Sequence, residues 1–141
     1  MTTTTFTLLA TGLVVLVLVI GAPIAALAAL DGSTPMLCAV STVMECDAEG
    51  KCVRITPDHH PDFPSILRVN VPQRVIVGGG GPDGRKSEIK SVTRLDGRLV
   101  LQGGENGRGW TATVAEDTGR MSAGIVTDTF AFNLFGACTT P

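Results

Sequence analysis

The sequence has few of the side chains on which enzymes and nucleic-acid-binding proteins depend. It contains no tyrosine, one tryptophan and two histidines, and its 11 basic and 13 acidic residues leave a formal net charge of −2. A general nucleic-acid binder needs a strongly basic surface, so this charge argues against a nucleic-acid partner. No G-x-S-x-G motif is present, and both histidines stand in one proline-rich loop, which gives nucleophilic catalysis no support. We predict that the protein is not an enzyme and uses no cofactor.

Charged residues are also absent from the first thirty positions, which predicts an exported chain. Residues 6–20 are almost entirely apolar, Gly21 and Pro23 then interrupt a helix, and Ala26–Ala28 offers small residues to a signal peptidase. The lysine or arginine that usually precedes such an apolar region is missing. Because Phe6–Leu30 is 25 residues long, enough to cross a bilayer of roughly 30 Å, a retained membrane anchor is the alternative.

The chain has four cysteines, Cys38, Cys46, Cys52 and Cys138, and all of them follow the apolar region. An even number in a small exported chain indicates two disulfides, for which three connectivities are possible. Their spacing matches neither C-x-x-C redox chemistry nor a common zinc site. We favour Cys46 with Cys52, closing a short loop, and Cys38 with Cys138, joining the two ends of the domain. The long link stabilises by about 4 kcal/mol in the loop-closure model.

Glycine and proline are abundant, and their distribution predicts an all-β fold. Seventeen glycines and eight prolines argue against a helical bundle and suit short strands with many turns. Asp96 and Gly97 give the strongest hairpin signal, because a type I′ turn needs positive φ at both central residues. About eight strands, no helix after residue 30 and short connections after residue 84 predict an antiparallel meander. It closes as a small barrel, which we favour, or packs as a sandwich.

Alternation within the predicted strands indicates which side chains face the core. In Glu88–Leu95 it places Ile89, Thr93 and Leu95 on one face and Lys90, Val92 and Arg94 on the other. The segment Thr56–Pro64 contains three prolines and is predicted to be irregular and exposed. The apolar residues predicted to fill one core are Leu67, Val69, Leu99, Leu101, Trp110, Val114, Met121, Ile125, Phe130, Phe132 and Leu134.

Several short motifs in fixed order give the chain a resemblance to a known family. They are Glu45–Cys52 (E-C-D-x-x-G-x-C), Asp96–Gly103 (D-G-R-L-V-L-Q-G), Gly107–Trp110 (G-R-G-W), Asp117–Met121 (D-T-G-R-M) and Phe135–Cys138 (F-G-A-C). Together they resemble a family of small exported proteobacterial proteins with no established activity, over roughly residues 36–140. The resemblance implies a Gram-negative periplasmic or surface protein and carries over no function.

Two short segments are candidate sites. Glu105, Asn106, Arg108 and Trp110 combine an acid, an amide, a guanidinium and the sole indole at a loop-to-strand junction, which is typical of binding sites. Trp110 is also in phase with Ala112 and Val114, so a core role is the competing interpretation. His59 and His60 are weak metal candidates, because neighbours on an extended segment point apart and cannot share one ion unaided.

These observations predict a non-enzymatic exported β-domain, periplasmic or extracellular, with a binding or structural role. Its partner is a protein, a glycan or a lipid. Lys90 and Arg94 on a shared face would suit anionic lipid or polysaccharide, but for this pair we favour a solvated sheet face. The alternative is an accessory subunit of a membrane complex, associated with the membrane through residues 6–30. The predicted division is residues 1–28, signal peptide or transmembrane anchor; residues 29–35, linker; and residues 36–141, disulfide-stapled β-domain.

Overall fold

Nine β-strands make up the regular structure of residues 30–57, 63–79 and 84–141, which the computed structural model describes. The predicted N-terminal helix, whether signal peptide or anchor, lies outside these residues. Within them, no helix is long and apolar enough to cross a membrane. In chain order the strands are β1 (Met36–Asp47), β2 (Cys52–Ile55), β3 (Ile66–Asn70), β4 (Val75–Gly78), β5 (Lys86–Leu95), β6 (Arg98–Glu105), β7 (Arg108–Ala115), β8 (Arg120–Val126) and β9 (Phe130–Thr139).

Eight of these strands close into an antiparallel barrel. From β3 to β9 each strand pairs with the next along the chain, and β9 pairs with nearly the whole of β1 to complete the ring. The other edge of β1 is shared, because its first half pairs with β3 and its second half with β2. This confirms the all-β prediction and its barrel alternative. Strand β2 was not predicted, since four exposed or half-exposed residues show no clear alternation.

The tight hairpins follow from residues that accept positive φ. Asp96 and Gly97, between β5 and β6, have φ of 48° and 72°, and Asn106 and Gly107, between β6 and β7, have φ of 48° and 74°. Positive φ at both central residues defines the type I′ turn, whose twist matches that of the flanking strands. The predicted Asp96–Gly97 hairpin is therefore confirmed, and Asn106 has a clear conformational role.

A β-bulge makes the predicted faces of β5 wrong. The pairing of β5 with β6 shifts between Ile89 and Ser91, so one extra residue enters β5. Beyond the bulge Val92 pairs with Leu101, whose side chain is buried, whereas Leu95 is 60% exposed. Because a single inserted residue reverses the alternation, Ile89 and Val92 share the inner face.

The bulge also separates Lys90 and Arg94, the two basic residues whose shared face was the lesser alternative for an anionic ligand. Lys90 forms an ion pair with Glu88, whereas Arg94 contacts Asp31 and Glu116 at one end of the barrel. Both side chains of the Lys90–Glu88 pair are more than half exposed, so solvent screens this pair strongly. Lys90 and Arg94 therefore do not form one shared surface.

Both disulfides join residues that face each other across paired strands. Cys38 on β1 is the Cα partner of Cys138 on β9, and Cys46 on β1 is the Cα partner of Cys52 on β2. This is the connectivity that we favoured from the sequence. The first disulfide lies at the β1–β9 closure of the barrel, where Cys38 is fully buried, and the second fixes the short hairpin after β1.

The two ends of the barrel differ, and we name them for the segments that cover them. At the closed end, residues 30–35 lie over the turns that follow β3, β5 and β7, with Leu30 only 8% exposed. Leu30 packs closely against Gly119: a Cβ added at Gly119 would lie 2.8 Å from the Cδ1 atom of Leu30. This segment, predicted as a linker, therefore packs on the barrel. At the loop end lie Phe63 and the turns that follow β4, β6 and β8.

The core lies inside the barrel and extends toward the closed end. Of the predicted core residues, Val69, Leu99, Leu101, Val114, Met121 and Leu134 are buried, while Leu67, Trp110, Ile125 and Phe132 are partly buried against them. Phe130 is 41% exposed, because β9 begins beyond the rim of the loop end. The other buried hydrophobic residues of the core are Leu30, Met36, Cys38, Val40, Val43, Phe63, Ile89, Ala112 and Cys138.

Candidate functional site

A cavity of about 140 Å³ lies inside the barrel toward the loop end. Inward-facing side chains from several strands surround it, most of them apolar, with a smaller polar group near the β6–β7 turn. The apolar lining includes Leu67, Leu101, Ala112, Ala123, Ile125 and Leu134, and the polar lining comprises Arg85, Ser87, Glu105 and Arg108. An apolar space with a few polar groups on one side is the usual form of a small-molecule site.

Trp110 forms one wall of this cavity. Its indole lies against Gly103, its Cα partner on β6, and a Cβ at Gly103 would lie 2.3 Å from the indole Cζ2. Only glycine therefore leaves room for the ring at this register. The indole Nε1–H donates to Ser87 Oγ at 2.9 Å, which satisfies its one polar group. The ring is thus held by its polar edge and lines the cavity with apolar surface.

Charged side chains stand at the rim of the cavity. Arg85 donates from both Nε and Nη2 to Glu105 Oε1, at 2.9 Å and 2.8 Å. Arg108 is the Cα partner of Glu105 across the β6–β7 turn, so the rim carries two guanidinium groups and one carboxylate. The side chains of Arg85 and Glu105 are 38% and 22% exposed, so solvent weakens their attraction. We therefore infer that this ion pair mainly positions the side chains at the rim and contributes little to the free energy of unfolding.

Phe63 lies between the cavity and the outside of the barrel. Its ring centroid is 4.7 Å from that of Phe132, the rings are tilted by 49°, and Phe63 is only 3% exposed. The expectation that Thr56–Pro64 would be exposed is therefore wrong at Phe63, and it is also wrong at Pro57, which is buried. Proline content predicts irregular backbone, but the apolar ring gains by burial against Phe132 and the barrel.

A second depression, of about 530 Å³, lies on the other side of Phe63. We call it the outer groove; the β6–β7 and β8–β9 turns form its sides, with Asn106, Asp128 and Phe130 among the residues that line it. Phe63 and Arg108 line both the cavity and the outer groove. The two spaces are therefore neighbours, with the Phe63 ring between them.

The structure places the predicted binding residues as follows. Glu105, Arg108 and Trp110 all line the cavity, whereas Asn106 occupies the turn and lines the outer groove. Sequence reasoning did not single out Phe63 or Ser87 for the site. Ser87 had a usable signal, since it stands two residues before the buried Ile89 and so shares its inward face before the bulge. Phe63 had none, because its burial depends on contacts distant in sequence.

The histidine pair cannot be assigned a place in the site. His59 and His60 lie outside the described residues, so their weak candidacy as metal ligands stays a prediction. Among residues 30–57, 63–79 and 84–141, no three histidine, cysteine, aspartate or glutamate side chains are grouped to hold a metal ion. All four cysteines are in disulfides.

Comparison of the chain with protein-family models, curated proteins and solved structures finds no match in any of the three. The resemblance to exported proteobacterial proteins stays a prediction from the motifs. What the cavity can bind is therefore inferred from its own residues and dimensions.

Proposed function

We propose that the protein is an exported, non-enzymatic binding domain that takes a small apolar group into the barrel beside Trp110. The observation that carries this proposal is the 140 Å³ cavity with its largely apolar lining. Well-packed interiors contain few voids larger than a water molecule. This space opens toward the rim, so its apolar lining lies beside water when no ligand is bound, and a ligand that covers the lining gains the free energy of burying it.

The volume of the cavity determines the class of group that fits. A dry apolar cavity of about 150 Å³ accommodates a benzene ring. The space beside Trp110 therefore suits one six-membered aromatic ring or a short branched alkyl group. A ring also gains from the indole, since an offset or edge-to-face aromatic pair adds about 0.5–1.5 kcal/mol beyond area burial.

A polar remainder of the ligand would lie toward the rim. Arg85, Glu105 and Arg108 are on that side of the cavity, and the outer groove begins beyond Phe63. Groups on this side stay in contact with water, so a hydroxyl, amide or ionised substituent there avoids the desolvation that the apolar interior would impose. The ligand class is therefore a small molecule, or a side chain of a larger one, with an apolar end and a polar end.

The two disulfides support the exported state. Disulfides persist in oxidising compartments such as the periplasm and the extracellular space, and they are rare where thiols are kept reduced. The family resemblance and the apolar residues 6–20 favour the same location. Within the described cavity lining, the Ser87 hydroxyl accepts the Trp110 N–H and so holds the indole in place.

Toluene is the probe that tests this proposal. Titration of toluene into the native protein should give a saturable change in the fluorescence of Trp110, the sole tryptophan. It should also raise the melting temperature, because a ligand that binds only the folded state stabilises it. A response that rises without saturation would show non-specific partitioning and would contradict the proposal.

Two leucine substitutions locate the binding. Ala123→Leu places a branched side chain in the cavity and should weaken toluene binding about tenfold or more, equivalent to about 1.4 kcal/mol or more. Ala39→Leu is the matched control, because Ala39 is exposed on β1 and outside the cavity, and it should bind toluene as the native protein does. Equal toluene affinity in the native protein and both variants would contradict binding in this cavity.

A further inference from the structure

Three phenylalanine rings form a row at the loop end, from the cavity outward. The ring centroids of Phe63 and Phe132 are 4.7 Å apart, and those of Phe132 and Phe130 are 6.3 Å apart. All three residues line the outer groove, but Phe63 alone of the three is among the described residues that line the cavity. Phe63 is also the most buried residue of the row, with 3% exposed against 41% for Phe130. The inner end of this row is therefore part of the cavity wall.

Contacts on two sides hold the Phe63 ring in this place. The ring packs on Phe132 of β9, and Pro64, the next residue, packs on Gly78 at the end of β4. A Cβ at Gly78 would lie 2.7 Å from the Pro64 Cγ, so this close approach needs glycine. Pro64 and Gly78 also line the cavity. The segment that carries Phe63 is thus attached to the barrel directly beside the space that the ring closes.

The position of this ring limits the cavity in the direction of the outer groove. The cavity has a volume of about 140 Å³ and the outer groove one of about 530 Å³. Because Phe63 lines both, its ring occupies the space through which the two would join. A dry apolar cavity of about 150 Å³ accommodates one benzene ring, so the space beside Phe63 has room for one ring and not for a second.

The charged rim limits an apolar ligand in the other direction. Arg85, Glu105 and Arg108 line the cavity there, and Arg85 donates to Glu105. A second apolar ring at the rim would take water from the guanidinium and carboxylate groups without replacing the lost hydrogen bonds, which is unfavourable. A hydroxyl or amide substituent replaces those hydrogen bonds. The rim therefore accepts a polar end and disfavours an apolar extension.

We propose that Phe63 determines the size of the ligand, by restricting its apolar end to one six-membered ring or an alkyl group of similar size. The ligand class narrows accordingly to compounds with a single ring and a polar substituent, and compounds with two linked rings are excluded. This inference rests on the proposed function, because it concerns the same cavity. It goes further by assigning the size limit to one side chain.

Toluene and biphenyl test this inference, because biphenyl carries a second ring where toluene carries a methyl group. Each compound is added to the native protein at the same fraction of its aqueous solubility, and binding is followed by Trp110 fluorescence and by the melting temperature. Toluene should raise the melting temperature of the native protein, since a ligand that binds only the folded state stabilises it. Biphenyl should leave the melting temperature unchanged.

Substitutions in the row of rings locate the size limit. Phe63→Ala joins the cavity with the outer groove and should bind biphenyl about tenfold or more tightly than the native protein does, while its toluene affinity changes much less. Phe63→Leu keeps a smaller apolar side chain and should shift the preference in the same direction by a smaller factor, which decides the question if Phe63→Ala does not fold. Phe130→Ala removes the exposed ring outside the cavity and is the matched control, which should keep the native preference.

Two results would overturn the role of Phe63. One is an equal response of the native protein to toluene and biphenyl. The other is a preference for toluene that the Phe63 variants keep, which is expected if this ring only stabilises the fold. Toluene binding to the native protein would leave the proposed function standing in both cases, whereas an absence of toluene binding would contradict the proposed function and this inference together.

Discussion

Trp110 and Gly103 face each other across β6 and β7, and the indole occupies the space that a side chain on Gly103 would need. A Cβ at Gly103 would lie 2.3 Å from the Trp110 ring and 2.4 Å from the carbonyl oxygen of Glu88. The ring therefore reaches its place on the cavity wall because this glycine lies opposite it. Glycine usually weakens a strand interior, and here close packing explains its presence.

Gly103→Ala should destabilise the barrel by about 1–3 kcal/mol, because neither the indole nor the Glu88 carbonyl has free space to move into. Gly124→Ala is the matched control, since a Cβ at Gly124 on β8 would meet nothing within 4 Å. Urea unfolding followed by circular dichroism measures both variants. Equal stability of the two variants would show that the Trp110–Gly103 contact is unimportant.

Trp110→Ala should lower the free energy of unfolding by about 3–5 kcal/mol, since it removes a large, partly buried ring and enlarges the cavity. Trp110→Phe keeps an aromatic ring but removes the hydrogen bond to Ser87, and it should cost less. Thermal unfolding followed by circular dichroism compares the two. A fully stable Trp110→Ala protein would contradict a structural role for the indole and leave it only a ligand contact.

The two disulfides should contribute unequally. Cys38 and Cys138 are separated by 100 residues and Cys46 and Cys52 by 6. The loop-closure model therefore gives about 4–5 kcal/mol for the first and about 2 kcal/mol for the second. Paired cysteine-to-alanine variants, unfolded in urea without reductant, measure each contribution. The native protein should have no alkylatable thiol, and two or more would contradict the disulfide assignment.

Asp31 should make stability fall in acid. Hydrogen bonds from the side chain and backbone of Ser33, together with the charge of Arg94, hold the pKa of Asp31 below its ordinary value of 3.8. A lowered folded-state pKa gives stability that is present above the ordinary value and is lost as pH falls through the lower one. Asp31→Asn should therefore lower the melting temperature at pH 7, with a difference that closes below about pH 4. A difference that persists unchanged at pH 2 would contradict this assignment.

The strands and tight turns were predictable because local residues determine them. Asp96–Gly97 accepts positive φ, and alternating apolar residues identify the inner faces of β3 and β6–β9. The β5 bulge was not predictable. An extra residue shifts the alternation of inward and outward side chains by one position, and the sequence does not show at which residue of β5 that shift occurs. The bulge contacts Arg74, the residue directly before β4. The Arg74 backbone carbonyl accepts a hydrogen bond from the Ile89 N–H, and the Arg74 guanidinium donates one to the Lys90 carbonyl.

The candidate site was predictable only in part, for a similar reason. Glu105, Arg108 and Trp110 are close in sequence, so their composition alone singled them out. Phe63 reaches the site through its contact with Phe132, 69 positions later in the chain. Segment composition predicts whether backbone is regular, but it does not show which loop side chain a distant strand will bury.

The location of a bound apolar probe tests the central claim most directly. A crystal of the native protein equilibrated with xenon should show the gas atom in the cavity, in contact with Trp110, Leu101 and Leu134. The same experiment with Ala123→Leu should show that site filled by the leucine side chain, while Ala39→Leu should bind xenon as the native protein does. An empty cavity in the native crystal, with xenon only at surface positions, would contradict the proposed binding function.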